Sequence, residues 1–444
     1  MKASTLLIKN AVAATLGGNN RVLPGHSVMC EGDKISKIAP DAEFTGSYDK
    51  VIDARGRLVL PGFINAHMHF YSTLVRGLGK AAPSKNFNEV LENLWWRLDK
   101  KLLLEDCYYS ALIPLIDAVR RGTTTLIDHH ASPFAARGSL DIIAKAVKET
   151  GLRACLCYEV SDRDGAKIAE DGINENIDFI KRCKAEKDPR LSAMFGLHAA
   201  FTIGDETMEK AARAGHELGA GFHIHCAEAA SDEEHSVRHH GMRVARRLEK
   251  FGILGPRSIA AHCVHVDAGE MDILAGTKTA VAHNPQSNMN NAVGIADIPE
   301  MTRRGVLVGL GTDAMTVNMP EEMRAALWAQ HLRAKDPCAA FVETLSTLPF
   351  NNPKIAARCF DMPLGELREG CAADIVIMDY LAPTPFSAEN FLGHLCFGIA
   401  QADVDTTIAS GKVLMENRRL ALDIDLEWVS RRARELAAAL WERF

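Results

Sequence analysis

Over the N-terminal part of the chain, apolar positions alternate with polar ones in short stretches. Further on they merge into continuous apolar runs separated by helix-length segments. The short stretches, Thr5 to Ala14, Ser27 to Ile38 and Asp49 to Val59, carry β-branched residues between Gly, Asn and Asp, which predicts strands joined by tight turns. Glu31-Gly32-Asp33-Lys34 reads as one hairpin turn. The longer runs are 59–66, Thr123–Ile127, Ala154–Tyr158, Leu191–His198, Gly221–His225, Ser258–His262, Thr279–His283 and Gly305–Leu310. Eight such runs alternating with helical segments predict a parallel (β/α)8 barrel.

Beyond the barrel, 343–359 reads as two short helical stretches broken around Pro349 and Pro353. Strand signals resume at Ile375–Asp379 and Val404–Leu414, with Gly411-Lys412 as a turn, and 426–444 carries apolar positions at helical spacing. The expected organisation is α/β. A TIM-like barrel, 59–364, is inserted in a small discontinuous β-sandwich formed by 1–58 and 365–425, and a helix follows over 426–444.

Composition narrows the function classes. With 47% hydrophobic and 24% charged residues among 444, a sizeable core is affordable and bulk disorder is excluded. A formal charge of -6 gives no electrostatic case for nucleic acid or an anionic membrane as partner. No apolar run approaches a membrane span, and the opening residues enter a strand pattern without a signal-peptide core. The 11 cysteines are odd in number and scattered, as in reduced thiols of a cytoplasmic protein.

Candidate chemistry lies at the ends of the apolar runs, where barrel active sites are built. The first run ends in His67-Met68-His69; on a strand the two imidazoles share a face, which makes half a metal site. One His-x-His is more often a pair of ordinary surface histidines. Here the second run ends in Asp128-His129-His130, the third in Tyr158-Glu159 and the fourth in His198. The fifth carries His223, His225 and, in its loop, Glu228; the sixth ends in His262, the seventh in His283-Asn284 and the eighth in Thr312-Asp313. Packing alone does not explain so many, because buried polar groups need partners. His223, deeper than His225 on the same face, is expected to be a hydrogen-bonded core histidine.

Five motifs in order, Pro61 to His69, His225-Cys226-Ala227-Glu228, Ala261 to His265, His283 to Asn288 and Gly311-Thr312-Asp313, resemble the amidohydrolase superfamily. Within it they are similar to the branch of cytosine, guanine and adenosine-analogue deaminases and triazine hydrolases. Trp95-Trp96 and Asp128-His129-His130-Ala131 resemble one aminohydrolase group of that branch. The resemblance implies that His67, His69, His225 and Asp313 bind one divalent metal, Zn²⁺ or Fe²⁺, on which water becomes the nucleophile. Strand four ends without the lysine that bridges two metals in binuclear relatives, which favours a mononuclear site. Glu228 is implied as the proton shuttle and His262 as the residue steadying the attacking water and the tetrahedral centre. Asp313 is implied as a ligand and second proton carrier.

His198, His283, Trp95, Trp96 and Tyr158 are candidate substrate contacts. For His198, His283 and Asn288 a structural role weighs equally, and His198 lacks the relatives' Pro two residues on, having Ala200. Tyr158 stands where S-adenosylhomocysteine deaminases carry a carboxylate-binding Arg, and Val317 stands near their strand-eight Ser. The expected activity is hydrolytic deamination of a compact amino-substituted heterocycle, by a homo-oligomer. A dechlorinase or cyclic-amide hydrolase on the same site, or a non-catalytic metal-binding scaffold, stands as the alternative.

Overall fold

A computed structural model describes residues 4–444. Barrel strand one is Phe63–Met68, two Thr123–His130 and three Arg153–Tyr158. Strand four is split into Leu191–Ala193 and Phe195–Ala199; five to eight are Phe222–Cys226, Ile259–His262, Ala280–His283 and Leu307–Leu310. The first half of strand four ends a parallel sheet begun by strand one, and its second half begins a parallel sheet that runs to strand eight. Two seams join the sheets into a ring. At one, Val160 bridges Leu197; at the other, Met68 bridges Asp313. The second seam is reinforced by the Thr312 and Asp313 amides donating to His67 O at 2.9 and 3.0 Å. Asn352 Nδ2 adds bonds to Ile64 O and Leu310 O at 2.7 and 2.8 Å. Nearly every residue of these strands is buried, as expected when helices cover one face and packed side chains fill the other. Ala66, Ile127, Cys155, Ile259, Ala280 and Ala282 plug the interior toward the strand starts, which leaves the strand ends for polar side chains.

The apolar run 59–66 is not one strand. Leu58–Pro61 lies in a separate sheet, antiparallel to Ile375–Met378 and parallel to Val12–Ala13. The chain breaks step at Gly62, where a Cβ would collide with the Thr124 side chain. Hydrophobicity is continuous across the break, so periodicity does not reveal it. The expected sandwich is built from one nine-stranded sheet that takes its strands from both ends of the chain, around a core including Ile8, Val28, Ile52, Ile375 and Ile408. All eleven cysteines are free thiols, and no helix among the described residues is long and apolar enough to cross a membrane. The last helix, Leu426–Arg443, buries Val429, Ala433, Leu436 and Leu440, and Trp441 Nε1 donates to Leu74 O at 2.8 Å.

Sheet and barrel meet at the starts of strands two and three. There Arg153, 1% exposed, places Nε 3.1 Å from Asp374 Oδ2 and Nη2 3.0 Å from Ser410 Oγ, and also donates to Pro189 O. Asp374 in turn accepts from the Ser410 amide at 2.7 Å. Asp374→Ala would leave a guanidinium buried without its carboxylate, a change that costs about 3–5 kcal/mol. Chemical denaturation should show a loss of that order. The strand-one seam makes a second prediction. A Cβ at Gly311 would press on Asn284 Oδ1 and lie 2.7 Å from His67 O and 2.8 Å from His67 Cβ. Gly311→Ala is expected to cost roughly 1–3 kcal/mol by overpacking and to displace His67. Unchanged thermal unfolding would show that the seam can give way.

Candidate functional site

The strand ends converge on a cavity of about 690 Å³, open mouth included, lined among others by His69, Trp95, Trp96, Glu159, His198, His225, Glu228, His262 and Asp313. Backbone strain concentrates here: Ala227, His262, Cys263 and Asp313 all have left-handed φ, between 47° and 73°. Such conformations persist only where surrounding contacts enforce them.

Three imidazoles and a carboxylate meet at the centre. His69 Nε2 lies 2.9 Å from Asp313 Oδ1 and 3.2 Å from His225 Nε2, and His67 Nε2 lies 3.6 Å from Asp313 Oδ1. The ligand atoms of His67, His69, His129 and His225 all fall within 4.8 Å of one another, as do those of His67, His262 and Asp313. His67 is fully buried, and its Nε2 has no hydrogen-bond partner among the described residues. Burial drives its pKa down to about 4, so the ring is neutral with a free lone pair. Burial also opposes charge on His69, yet the carboxylates of Asp313 and Glu159 raise its pKa well above the ordinary value. A buried centre with orphaned imidazole nitrogens and a demand for positive charge fits a divalent cation held by nitrogen and oxygen donors.

The surrounding groups fix ring orientation. His67 Nδ1 is 2.9 Å from His223 Nε2, and His223 Nδ1 is 3.7 Å from Cys157 Sγ. For His67 Nε2 to carry the lone pair, His67 Nδ1 must donate to His223, which in turn donates to Cys157. His223 is thus the buried, bonded histidine expected, and its partner is His67. His69 Nδ1 donates to His129 O at 2.5 Å and lies 3.2 Å from Glu159 Oε1. Asp313 Oδ2 accepts from Ser287 Oγ.

Glu228 and His262 face this centre from one side. His262 Nδ1 accepts from Asn288 Nδ2 at 2.8 Å, which leaves Nε2 to carry the proton, 3.5 Å from Glu228 Oε2 and 3.9 Å from Asp313 Oδ2. Burial lowers the His262 pKa to about 3. Glu228 accepts from Asn291 Nδ2 at 3.4 Å. Burial first, then the Asp313 and Asp232 carboxylates, push its pKa well above the ordinary range, which makes it a stronger base than an exposed glutamate.

Of the expected substrate contacts, Trp95, Trp96 and His198 line the cavity, and Tyr158 and His283 do not. Tyr158 is registered beside His130, and both point out of the barrel; the Tyr158 ring would meet any Cβ added at Gly172 on the covering helix. The next residue, Glu159, points inward in its place, within 3.8 Å of His198 and 3.5 Å of His129. Strand alternation carries this inversion: Cys157, beside the inward-facing His129, puts Tyr158 on the opposite face. His283 is buried below the cavity with both ring nitrogens unpartnered among the described residues. Asn288 acts on His262 and does not line the cavity. Sequence reasoning named Glu159 and His129 at strand ends without giving them a role, and did not single out Ser287, Asn291, or the pair of Asp99 and Arg163 in the cavity wall. The last two lie off the strand ends and carry no motif.

The amidohydrolase family profile matches residues 58–414. A 5-methylthioadenosine/S-adenosylhomocysteine deaminase of Pelotomaculum thermopropionicum is 32% identical over 447 residues, covering 99% of this chain and 100% of the relative. A 5'-deoxyadenosine deaminase of Methanobrevibacter smithii is 32% identical across 100% of this chain and 99% of its own. Among solved structures, an adenosine deaminase of Xanthomonas campestris with bound zinc superposes with a TM-score of 0.86 at 23% identity, over 99% of both chains. An atrazine chlorohydrolase of Arthrobacter aurescens complexed with zinc gives 0.82 at 24% identity, over 97% of this chain and 100% of that one. These two establish likeness of fold. With a family profile spanning most of the chain and relatives matched end to end, the chain is a hydrolase that belongs to the amidohydrolase family.

Proposed function

We propose that the protein is a metal-dependent hydrolytic deaminase of a compact amino-substituted heterocycle. The observation that carries this reading is the buried Glu228 carboxylate, its Oε2 3.5 Å from His262 Nε2 at the edge of the imidazole and carboxylate cluster. His67, His69, His225 and Asp313 would hold one divalent cation, Zn²⁺ being the best match to the donor set. Such an ion supplies a Lewis acid that makes water a nucleophile at neutral pH.

The remaining steps belong to the chain's own groups. Glu228 takes the proton of the attacking water and delivers it to the ring nitrogen next to the amino-bearing carbon. His262, its proton held on Nε2 by Asn288, donates toward the oxygen added at that carbon as charge develops there. Asp313, whose second oxygen is held by Ser287, carries the further proton to the departing amine, which leaves as ammonia. Trp95 and Trp96, with Phe87, Leu91 and Phe201, give an aromatic and aliphatic wall on which a flat ring stacks. A ring substituted with chloride or closed by an amide presents the same electrophilic carbon, so a panel of substrates scored for ammonia, chloride or ring opening separates these chemistries. A substrate with an amino-acid tail is disfavoured, because the position aligned with the relatives' carboxylate-binding Arg is Tyr158, which points away from the cavity.

Replacing His67 or His225 with Ala is expected to abolish stoichiometric metal, and elemental analysis of fully loaded wild type to give one ion per chain. Two ions per chain would refute the mononuclear site. Glu228→Gln should keep metal and fold while turnover falls roughly a hundred- to ten-thousandfold. A Gln variant with full metal and near-normal turnover would remove Glu228 from the mechanism, and a loss of metal would make it a ligand. His262→Asn should also keep the ion while losing turnover.

A further inference from the structure

Strand two ends in Asp128-His129-His130, and the proposed reaction uses none of the three. Two of them are accounted for within the fold. Asp128 Oδ1 accepts from the Phe70 amide at 2.7 Å, and His130 Nε2 lies 2.9 Å from Ser132 Oγ. His129 differs: it is fully buried beside Cys157 of strand three, and neither ring nitrogen has a hydrogen-bond partner among the described residues. Buried polar side chains are normally bonded to something. His223, whose ring stacks on that of His129 at 4.5 Å, shows the bonded alternative, with one nitrogen on His67 and the other facing Cys157.

Position decides what the His129 ring lacks. One of its nitrogens and the donor atoms of His67, His69 and His225 all lie within 4.8 Å of one another. The ring centroid is 4.7 Å from that of His225 and 5.6 Å from that of His69. His283, which also has two orphaned nitrogens, joins no such cluster among the described residues. His129 Nδ1 faces Glu159 Oε1 at 3.5 Å, and the same oxygen lies 3.2 Å from His69 Nδ1. A metal-bound histidine gives one nitrogen to the ion and turns the other to a carboxylate or a carbonyl, which fixes its tautomer. His69 has this arrangement through Glu159 and the His129 carbonyl, and His129 repeats it with the same carboxylate. We propose that His129 is a fifth protein ligand of the ion, through Nε2, so that the donor set is four imidazoles and the Asp313 carboxylate. Strand two then serves the ion twice, since the His129 ring donates to it while the His129 carbonyl holds the His69 ring. This assignment rests on the one-ion reading and enlarges its ligand set.

The test compares the full-length wild type with His129→Phe, which keeps a flat ring to stack on His223 and removes both nitrogens. His129→Ala carries the comparison if the Phe variant does not fold, and His283→Gln is the control. Zinc affinity is measured by competition with a chelator, and the cobalt(II)-substituted proteins are compared by visible absorption. Each variant should still take up one ion per chain in excess zinc. The His129 variants should lose more than about a hundredfold in affinity, beyond the roughly ten- to hundredfold that loss of an outer partner costs. Their cobalt(II) forms should absorb more strongly, because d–d intensity rises when a ligand is lost from a crowded ion. His283→Gln should match wild type in both measurements. An unchanged cobalt spectrum, a smaller loss of affinity, or an equal change in His283→Gln overturns the assignment, and a wild type that binds no ion overturns it together with the one-ion reading. Two ions per wild-type chain refutes the one-ion reading alone if His129→Phe loses one of them, and refutes both if it loses neither.

Discussion

The structure turns on one electrostatic constraint: His67, His69, His225 and Asp313 are held within a few ångströms of each other at the bottom of a narrow cavity, with little water to solvate them. In a low-dielectric barrel mouth, neutral imidazoles with orphaned lone pairs and a carboxylate whose ion-pair partners among the described residues are all histidines are costly to assemble. The scaffold meets that cost with covalent position. Each of the four sits at or just past the end of a short parallel strand packed mostly with apolar residues, so collapse of the core and assembly of the site are one event. The His67 carbonyl also accepts the amides that close the ring at strand eight. Closing the barrel therefore brings Asp313 to His67.

Second-layer contacts turn proximity into geometry. His223 fixes His67, His129 O and Glu159 fix His69, Asn288 fixes His262, and Ser287 fixes Asp313. Each leaves a defined atom facing the centre, and none needs to touch substrate. His223 and Cys157 show how deep the layer runs, since two inward-facing barrel residues are spent orienting a single imidazole. Left-handed backbone at Ala227, His262, Cys263 and Asp313 shows where the chain is bent against its preference to aim those side chains.

Much of this was legible in the sequence because barrel geometry has a simple rule: runs of apolar residues end in functional ones. The rule finds His67, His69, His198, His225, His262 and Asp313, and the Glu228 loop follows from His225. It is blind to facing. A run ending in Tyr158-Glu159 names both residues, and only strand parity relative to its neighbour says which one enters the cavity. It is also blind to breaks in hydrophobic continuity, so Leu58–Pro61 reads as part of strand one although Gly62 sends it to another sheet. Asp99 and Arg163 escape entirely, because their meaning lies in a contact between distant segments.

The two halves of the cavity obey opposite electrostatic logic. At the centre, neutral histidines and carboxylates are left with unbalanced demand for positive charge, which a cation answers. At the Asp99–Arg163 wall the charges are balanced within the protein. Chemistry is thereby separated from recognition: the imidazole and carboxylate centre suits an electrophilic ring carbon, and the wall around it sets which rings reach that centre. A family profile that spans residues 58–414 therefore predicts the reaction far better than it predicts the substrate.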